Sequence, residues 1–227
     1  MRRISTHSNE AEQLEAEIVS RTATLSDPST ANLRALRRGF SKRIATAAPE
    51  LVIELGIRLV DRSQMCFRFV GYELVLHHKQ ALLSLEAKKL LRLGKGIDSW
   101  GAVDTFACYL AGPVWREQQV TDELIHAWAG STDRWWRRAA LVSTVPLNNK
   151  ARGGSGDTRR TLQVCELLIN DRDDMVVKAM SWSLRELAKR DATAVDNFLR
   201  KYHTVLARRV IREVGNKLRT GLKNPRH

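Results

Sequence analysis

The sequence has no run of apolar residues long enough to cross a membrane. A transmembrane helix needs roughly 20 mostly apolar residues, and no stretch of the 227 residues approaches that length. The opening residues, Met1 to Asn9, also lack the apolar core of a secretory signal peptide. We therefore expect a cytoplasmic protein with no membrane partner, associated with the nucleoid if the source is bacterial.

Residues that bind metals or form disulfides are scarce. Cys66, Cys108 and Cys165 are odd in number, far apart and embedded in apolar helical patterns, which argues against a disulfide framework and against a zinc site. We predict that all three are reduced packing residues. His77 and His78 lie in an apolar stretch, where a structural role is favoured. No Gly-rich phosphate-binding motif precedes a helix, so we expect neither a metal nor an organic cofactor.

The chain also lacks the signals of β-structure. No segment alternates apolar and polar residues beside an Asn-Gly or Asp-Gly turn, whereas apolar residues recur every three or four positions from Glu10 onward. This pattern predicts an all-α protein with short, closely spaced helices. The predicted helices cover residues 9–25, 31–47, 49–62, 64–78, 84–93, 98–112, 116–130, 133–146, 157–170, 173–190, 192–203 and 205–220.

Two of these helices share a local pattern. Asp133 and Asp173 are predicted N-caps, and each is followed five positions later by a basic residue, Arg138 or Lys178. A weaker copy runs from Ser63 to Gly71. The 40-residue spacing of the two strong copies is typical of paired-helix repeats of the HEAT kind. We predict a HEAT-like solenoid with one concave, basic face.

The solenoid is expected to form a single domain over residues 1–227. One segment interrupts the helical pattern: residues 150–157 contain three glycines beside basic residues. We predict that this segment is a flexible, Gly-rich loop inside the domain.

The charge of the chain is strongly positive. It has 38 Lys and Arg against 25 Asp and Glu, a formal net charge of +13, which indicates a polyanionic partner such as a phosphate backbone. From Arg200 to the end there are nine basic residues and one acid. In the last helix, Arg208 and Arg212 fall on the side opposite the apolar stripe. A second cluster, Arg34 to Arg43, either grips phosphate or is a solvated helix face.

One helix places an aromatic residue among cations. At about 100° per residue, Val176, Met180 and Leu184 fall on one stripe of the segment 175–189. Trp182 falls on the opposite side, with Lys178, Arg185 and Lys189. Either the indole packs under the stems of the basic side chains, or this side of the helix is a binding face.

A second helix pairs an aromatic residue with an acid. Trp100 and Asp104 are one turn apart, at the edge of a stripe formed by Val103, Phe106 and Leu110. Asp is a poor residue for a helix interior, and Asp98 with Ser99 already supplies the N-cap. Asp104 is therefore either half of a surface salt bridge or a functional carboxylate.

Three sequence blocks resemble those of a known family. They are Asp98 to Asp104, Trp135 to Leu141, and Lys178 to Lys189. In this order they make the chain resemble the AlkD-type DNA alkylation repair glycosylases, which are built from HEAT-like repeats. The resemblance covers roughly residues 60–220.

The resemblance implies a function and a set of site residues. It implies hydrolysis of the N-glycosidic bond of N3- or N7-alkylated purines in double-stranded DNA, by a monomer that does not draw the base into a pocket. Asp104 is the implied catalytic carboxylate, and Trp100 and Trp182 are the aromatics that flank the damaged deoxyribose. The candidates for binding DNA are Arg138, Lys178, Arg185, Lys189, Arg137, Arg208 and Arg212.

The N-terminal third departs from the family pattern. Family members with excision activity carry an early helix with an aromatic and basic motif, and residues 21–32 contain no aromatic residue. We therefore describe residues 1–60 as divergent. Two alternatives to an enzyme follow: a noncatalytic protein that binds DNA structure on the same scaffold, or a scaffold that binds other proteins.

Overall fold

The computed structural model describes residues 2–225, with side chains described for residues 7–225. Over this range every regular element is a helix, so the prediction of an all-α fold is confirmed. No helix within the described range is both long and apolar enough to span a membrane.

The chain divides into two compact units, Met1–Ile97 and Asp98–His227. A single HEAT-like domain over residues 1–227 stays a prediction. The helices of the first unit are α1 (Arg2–Ala23), α2 (Thr30–Arg43), α3 (Pro49–Asp61), α4 (Met65–Leu76), α5 (Lys79–Leu83) and α6 (Ala87–Leu93). Those of the second are α7 (Trp100–Phe106), α8 (Gly112–Arg116), α9 (Asp122–Ala129), α10 (Arg134–Ser143), α11 (Val145–Asn148), α12 (Thr158–Leu167), α13 (Asp174–Leu187), α14 (Ala192–Lys201) and α15 (Arg208–Thr220).

In the first unit, most of the predicted basic cluster of α2 is bound to carboxylates. Arg34 and Arg37 donate to opposite oxygens of Glu73, at 2.9 and 3.1 Å. The Glu73 side chain is 3% exposed, and Arg43 binds Glu17 at 2.7 Å. Because a buried carboxylate needs partners for its charge, Arg34 and Arg37 hold α2 against α4, while Arg43 links α2 to α1. Within the cluster, Arg38 and Lys42 are exposed.

In the second unit, the two predicted aspartate caps are present. The Asp133 carboxylate accepts from the backbone N–H of Trp135 and the Asp173 carboxylate from that of Met175, each at 2.8 Å. Each bond satisfies an N–H group that has no partner within its helix. The weaker copy is different: α4 begins one residue later than a cap at Ser63 would place it, with Gln64 as its N-cap. The prediction of Ser63 as a cap is wrong.

One predicted break between helices lies in the wrong place. The sequence predicted an end at residue 112, but α7 continues through a π-helical turn, Ala107–Ala111, into α8, and the break falls at residues 117–121. A proline inside a helix has no N–H to donate, and the π turn just before Pro113 accommodates that loss. Gly112 contributes as well: a Cβ at this position would lie 2.6 Å from Pro146 Cγ.

The histidine pair marks another break, where a continuous helix over residues 64–78 was predicted. Helix α4 ends at Leu76, and His78 is the N-cap of α5, its Nδ1 accepting from the backbone N–H of Ala81 at 3.0 Å. The structural role expected for His78 is confirmed.

The cysteines are free thiols, two of them buried, and burial raises the pKa of Cys165 to about 12.

Candidate nucleic-acid interface

Helix α7 sets the positions of Trp100 and Asp104. It begins at Trp100, and the Ser99 hydroxyl accepts from the backbone N–H of Ala102 as the N-cap. Val103 and Phe106 are fully buried, whereas the Trp100 indole is 64% exposed. Asp104 lies at the edge between them and is partly buried. The buried stripe and the edge position of Asp104 predicted from the helical period are confirmed, whereas Trp100, predicted at the same edge, is exposed. The N-cap of α7 is Ser99, so Asp104 has no capping role.

Asp104 is held by a two-pronged ion pair with Arg138. Arg138 Nε donates to Asp104 Oδ1 at 2.9 Å, and Nη2 donates to Oδ2 at 2.8 Å. The third donor, Nη1, reaches the Met175 carbonyl at 2.5 Å. The Arg138 side chain is 7% exposed and that of Asp104 is 20% exposed. The salt bridge that the sequence analysis considered for Asp104 exists, but it is partly buried.

Arg138 thus connects three helices around one carboxylate. It extends from α10, binds Asp104 on α7 and reaches the backbone at Met175 on α13. A bidentate guanidinium–carboxylate pair fixes the plane of both groups. The orientation of Asp104 is therefore set by tertiary packing, and the contact of Arg138 with a DNA backbone stays a prediction.

Burial controls the protonation of Asp104. Partial removal from water raises the pKa of its carboxyl above the ordinary value of 3.8, and the hydrogen bonds and charge of Arg138 offset part of that rise. Desolvation disfavours the charged form of an acid, while a nearby cation favours it. Asp104 therefore binds a proton more readily than an exposed aspartate does.

Trp182 lies in a separate open cavity of about 480 Å³. The cavity combines one indole, four cations and one buried carboxylate. Its lining residues are Lys178, Trp182, Arg185, Arg209, Glu213 and Lys223. The sequence predicted Trp182 beside Lys178 and Arg185. It missed Arg209, Glu213 and Lys223, although a lone acid in the basic C-terminal run was a signal for Glu213.

Glu213 lies near two of the four cations of this cavity, Arg209 and Lys223. Its Oε2 accepts from the Ser181 hydroxyl at 2.6 Å and lies 3.5 Å from Lys223 Nζ, while Arg209 Nε lies 3.8 Å from Oε1. Arg185 donates to the same Ser181 hydroxyl at 3.3 Å, and burial lowers the pKa of Arg185. Positive charge therefore exceeds negative charge around Trp182.

The remaining predicted DNA-binding residues differ in how far internal carboxylates neutralise them. Arg137 binds Asp171 at 2.7 Å. Lys178 pairs with Asp174 within α13 at 2.6 Å, and Lys189, just after the end of α13, pairs with Glu186 at 2.7 Å. Arg208 and Arg212 are exposed on α15, opposite the buried Val210 and Val214.

The structure thus divides the predicted catalytic residues between two places, Trp100 with Asp104 in one and Trp182 in the other. Trp100 and Asp104 share one turn of α7, and Arg138 links Asp104 to Met175 at the start of α13, the helix that carries Trp182 seven residues later. The lining of the Trp182 cavity includes neither Trp100 nor Asp104. Within residues 7–225, no group of three or more His, Cys, Asp or Glu side chains is arranged to hold a metal.

Comparison with known proteins adds one finding to this geometry. A family model described as DNA alkylation repair enzyme matches residues 23–218. The match contains every candidate site residue and begins well before residue 60, where the resemblance read from motifs began. No curated protein matches the chain.

Proposed function

Because the chain belongs to the DNA alkylation repair enzyme family, and so has a role in DNA repair, we propose that it is a DNA N-glycosylase. Its proposed substrates are N3- and N7-alkylated purines in duplex DNA, whose N-glycosidic bond it hydrolyses. One observation carries the proposal: a partly buried carboxylate, Asp104, is fixed by Arg138 and lies one helical turn from the exposed indole of Trp100.

The chemistry of the lesion explains why one carboxylate is enough. A purine alkylated at N3 or N7 already carries a positive charge and leaves without being protonated. Most glycoside hydrolases instead need a general acid beside a second carboxylate. No metal and no organic cofactor takes part in the proposed reaction.

Asp104 acts on the charge that develops as the glycosidic bond stretches. Positive charge then appears on the deoxyribose, and a fixed carboxylate stabilises it and orients the attacking water. A carboxylate has about four lone-pair sites, and Arg138 uses one on each oxygen. The other sites stay available for water, while the ion pair prevents the carboxylate from rotating.

The two indoles supply a second source of stabilisation. Cation–π attraction contributes about 0.5–2 kcal/mol where a cation lies over an indole face. Trp100 is exposed enough to contact a sugar directly, and Trp182 lies in a cavity with an excess of cations. The cations of this cavity, with Arg208 and Arg212, grip the phosphate backbone. The damaged base is not drawn into a deep pocket.

Asp104→Asn tests the proposal. We expect release of free methylated purine from alkylated duplex DNA to fall at least about 100-fold, as it does when a group that stabilises developing charge is removed. Asp196→Asn is the matched control, because Asp196 pairs with Arg200 at the surface of α14. Thermal unfolding and duplex binding of both variants separate loss of chemistry from loss of fold. Release by Asp104→Asn at the wild-type rate would contradict the proposal.

A noncatalytic protein that binds DNA structure is the second candidate. It is favoured by the use of both Asp104 oxygens by Arg138 and by the lack of an aromatic residue in residues 21–32. Tight duplex binding by wild type and Asp104→Asn, with release by neither, would support it. Absence of duplex binding would point instead to a scaffold for other proteins.

A further inference from the structure

The Gly-rich segment that the sequence predicted as flexible is a hydrogen-bonded turn. Residues Lys150–Arg152 form a 3₁₀ turn that ends at Gly153, whose φ of 82° lies in the left-handed region. The N–H of Gly153 donates to Lys150 O at 3.0 Å, and that of Gly154 donates to Asn149 O at 2.9 Å. These bonds order the first half of the segment, residues 154–157 have no regular structure, and its flexibility stays a prediction.

Neighbouring elements anchor the same turn. Arg190 Nε donates to Asn148 O at 2.8 Å, and its Nη2 donates to Gly154 O at 3.0 Å. Arg116 Nη1 donates to Arg152 O at 2.6 Å. The turn therefore presents the Arg152 side chain from a fixed backbone.

Arg152 stacks on an aromatic ring of the helix that carries Asp104. Its guanidinium lies 5.3 Å from the centroid of the Tyr109 ring. Tyr109 follows Asp104 by five residues and belongs to the π turn. In a regular helix it would point about 140° away from Asp104. A π turn, with its i→i+5 hydrogen bonds, winds more slowly than an α-helix and reduces this rotation.

The charges of Arg152 and Asp104 both act on the buried thiol of Cys108. Burial raises the pKa of Cys108 to about 12. The charge of Arg152 lowers that pKa, and the charge of Asp104 raises it. Both groups therefore lie within electrostatic range of Cys108, the residue before Tyr109, as do Arg138 and Glu186.

Arg152 also differs from the paired cations of this unit. It is exposed, and the ion pairs found among residues 7–225 do not include it, whereas Arg137, Lys178 and Lys189 each have a carboxylate. A guanidinium over a ring face still has N–H groups that can donate to a phosphate. Lys150, two residues earlier, is exposed as well.

We propose that Arg152, held on the Tyr109 ring by the Gly-rich turn, binds one backbone phosphodiester of the DNA duplex beside the nucleotide that faces Asp104. The proposal rests on the proposed function for the position of the damaged nucleotide. The ligand is a phosphate of the polynucleotide backbone, so the contact adds affinity without reading base sequence.

The test is the salt dependence of binding to an undamaged duplex. For Arg152→Gln we expect affinity to fall about 3- to 10-fold. The slope of log K against log salt should become less steep by about 0.9, the value for one phosphate contact. Arg200→Gln is the matched control, since Arg200 is an exposed arginine on α14 that pairs with Asp196.

Two Tyr109 variants test the stacking itself. Tyr109→Phe keeps the ring and should bind as wild type does. Tyr109→Leu removes the ring, and we expect a loss of affinity smaller than that of Arg152→Gln and no further loss when the two changes are combined. Unfolding curves confirm that each variant is folded. Equal affinity and equal slope for Arg152→Gln and Arg200→Gln would overturn the proposal.

These outcomes are separable from those of the glycosylase proposal. A wild type that releases no purine, but loses affinity through Arg152→Gln, would overturn the glycosylase proposal and support the phosphate contact. If the wild type releases purine and Arg152→Gln binds DNA with unchanged affinity, the glycosylase proposal is supported and the phosphate contact is overturned.

Discussion

At the scale of single residues, Asp104 has two properties that act in opposite directions. Its partial burial disfavours the charged form, and the bidentate contact with Arg138 favours it. Burial is the larger effect, so the pKa of Asp104 is raised. The proposed chemistry needs the ionised form, because only a negative carboxylate stabilises the developing positive charge.

Excision by the wild type should therefore be lost on acidification at a pH above the ordinary value of 3.8. The sign follows from the ionisation: lowering the pH protonates Asp104 and removes its charge. The measurement is single-turnover release of methylated purine across a pH series, with spontaneous release from the same DNA subtracted at each pH. A rate that is flat or rises on acidification would contradict a catalytic role for ionised Asp104.

At the scale of elements, the continuous run from α7 through the π turn to α8 depends on close packing at Gly112. A Cβ there would lie 2.6 Å from both Pro146 Cγ and the Ser143 carbonyl oxygen. Neither atom belongs to the end of a flexible side chain. The approach of α8 to α11 therefore requires a residue without a side chain.

Gly112→Ala should destabilise the protein by about 1–3 kcal/mol, the cost of overpacking a close contact. Gly39→Ala is the matched control: it is also helical, nothing lies within 4 Å of the added Cβ, and we expect a gain of about 0.4–1 kcal/mol. Urea unfolding followed by circular dichroism measures both changes. Equal stability of the two variants would show that α8 and α11 do not pack as closely as described.

At the scale of the whole molecule, the excess of positive charge is the main property that bears on binding. The formal net charge is +13. Many cations are nonetheless paired with carboxylates, as in the contacts of Arg137 and Lys189. Phosphate contacts are therefore expected from exposed cations such as Arg208 and Arg212 on α15.

Duplex affinity should fall steeply as salt is added, because each neutralised phosphate releases counterions. The double variant Arg208→Gln with Arg212→Gln should make the slope of log K against log salt less steep by about 1.8, the value for two contacts. The control is Arg200→Gln with Lys201→Gln, two basic residues of α14 that already pair with carboxylates. Slopes that do not distinguish the two double variants would remove α15 from the DNA-binding surface.

Local sequence signals were reliable where neighbours along the chain decide the structure. The caps at Asp133 and Asp173, the buried stripe of α7 and the edge position of Asp104 follow from the helical period and from short polar side chains. The helix end predicted at residue 112 was wrong, although Pro113 has no N–H to donate and so favours a break there. A π turn and a tight contact with Pro146 overrode that local preference.

The sequence by itself determined the fold class, the positions of most helices, the excess of positive charge and the resemblance to a repair family. The first three depend on composition or on residues a few positions apart, and the resemblance depends on three short blocks in a fixed order. The tertiary structure alone decided which cations are neutralised, how Asp104 is held and where the Gly-rich turn places Arg152. Asp104 and Arg138 are 34 residues apart in the chain, and a pairing at that separation depends on helix packing, which local periodicity does not specify.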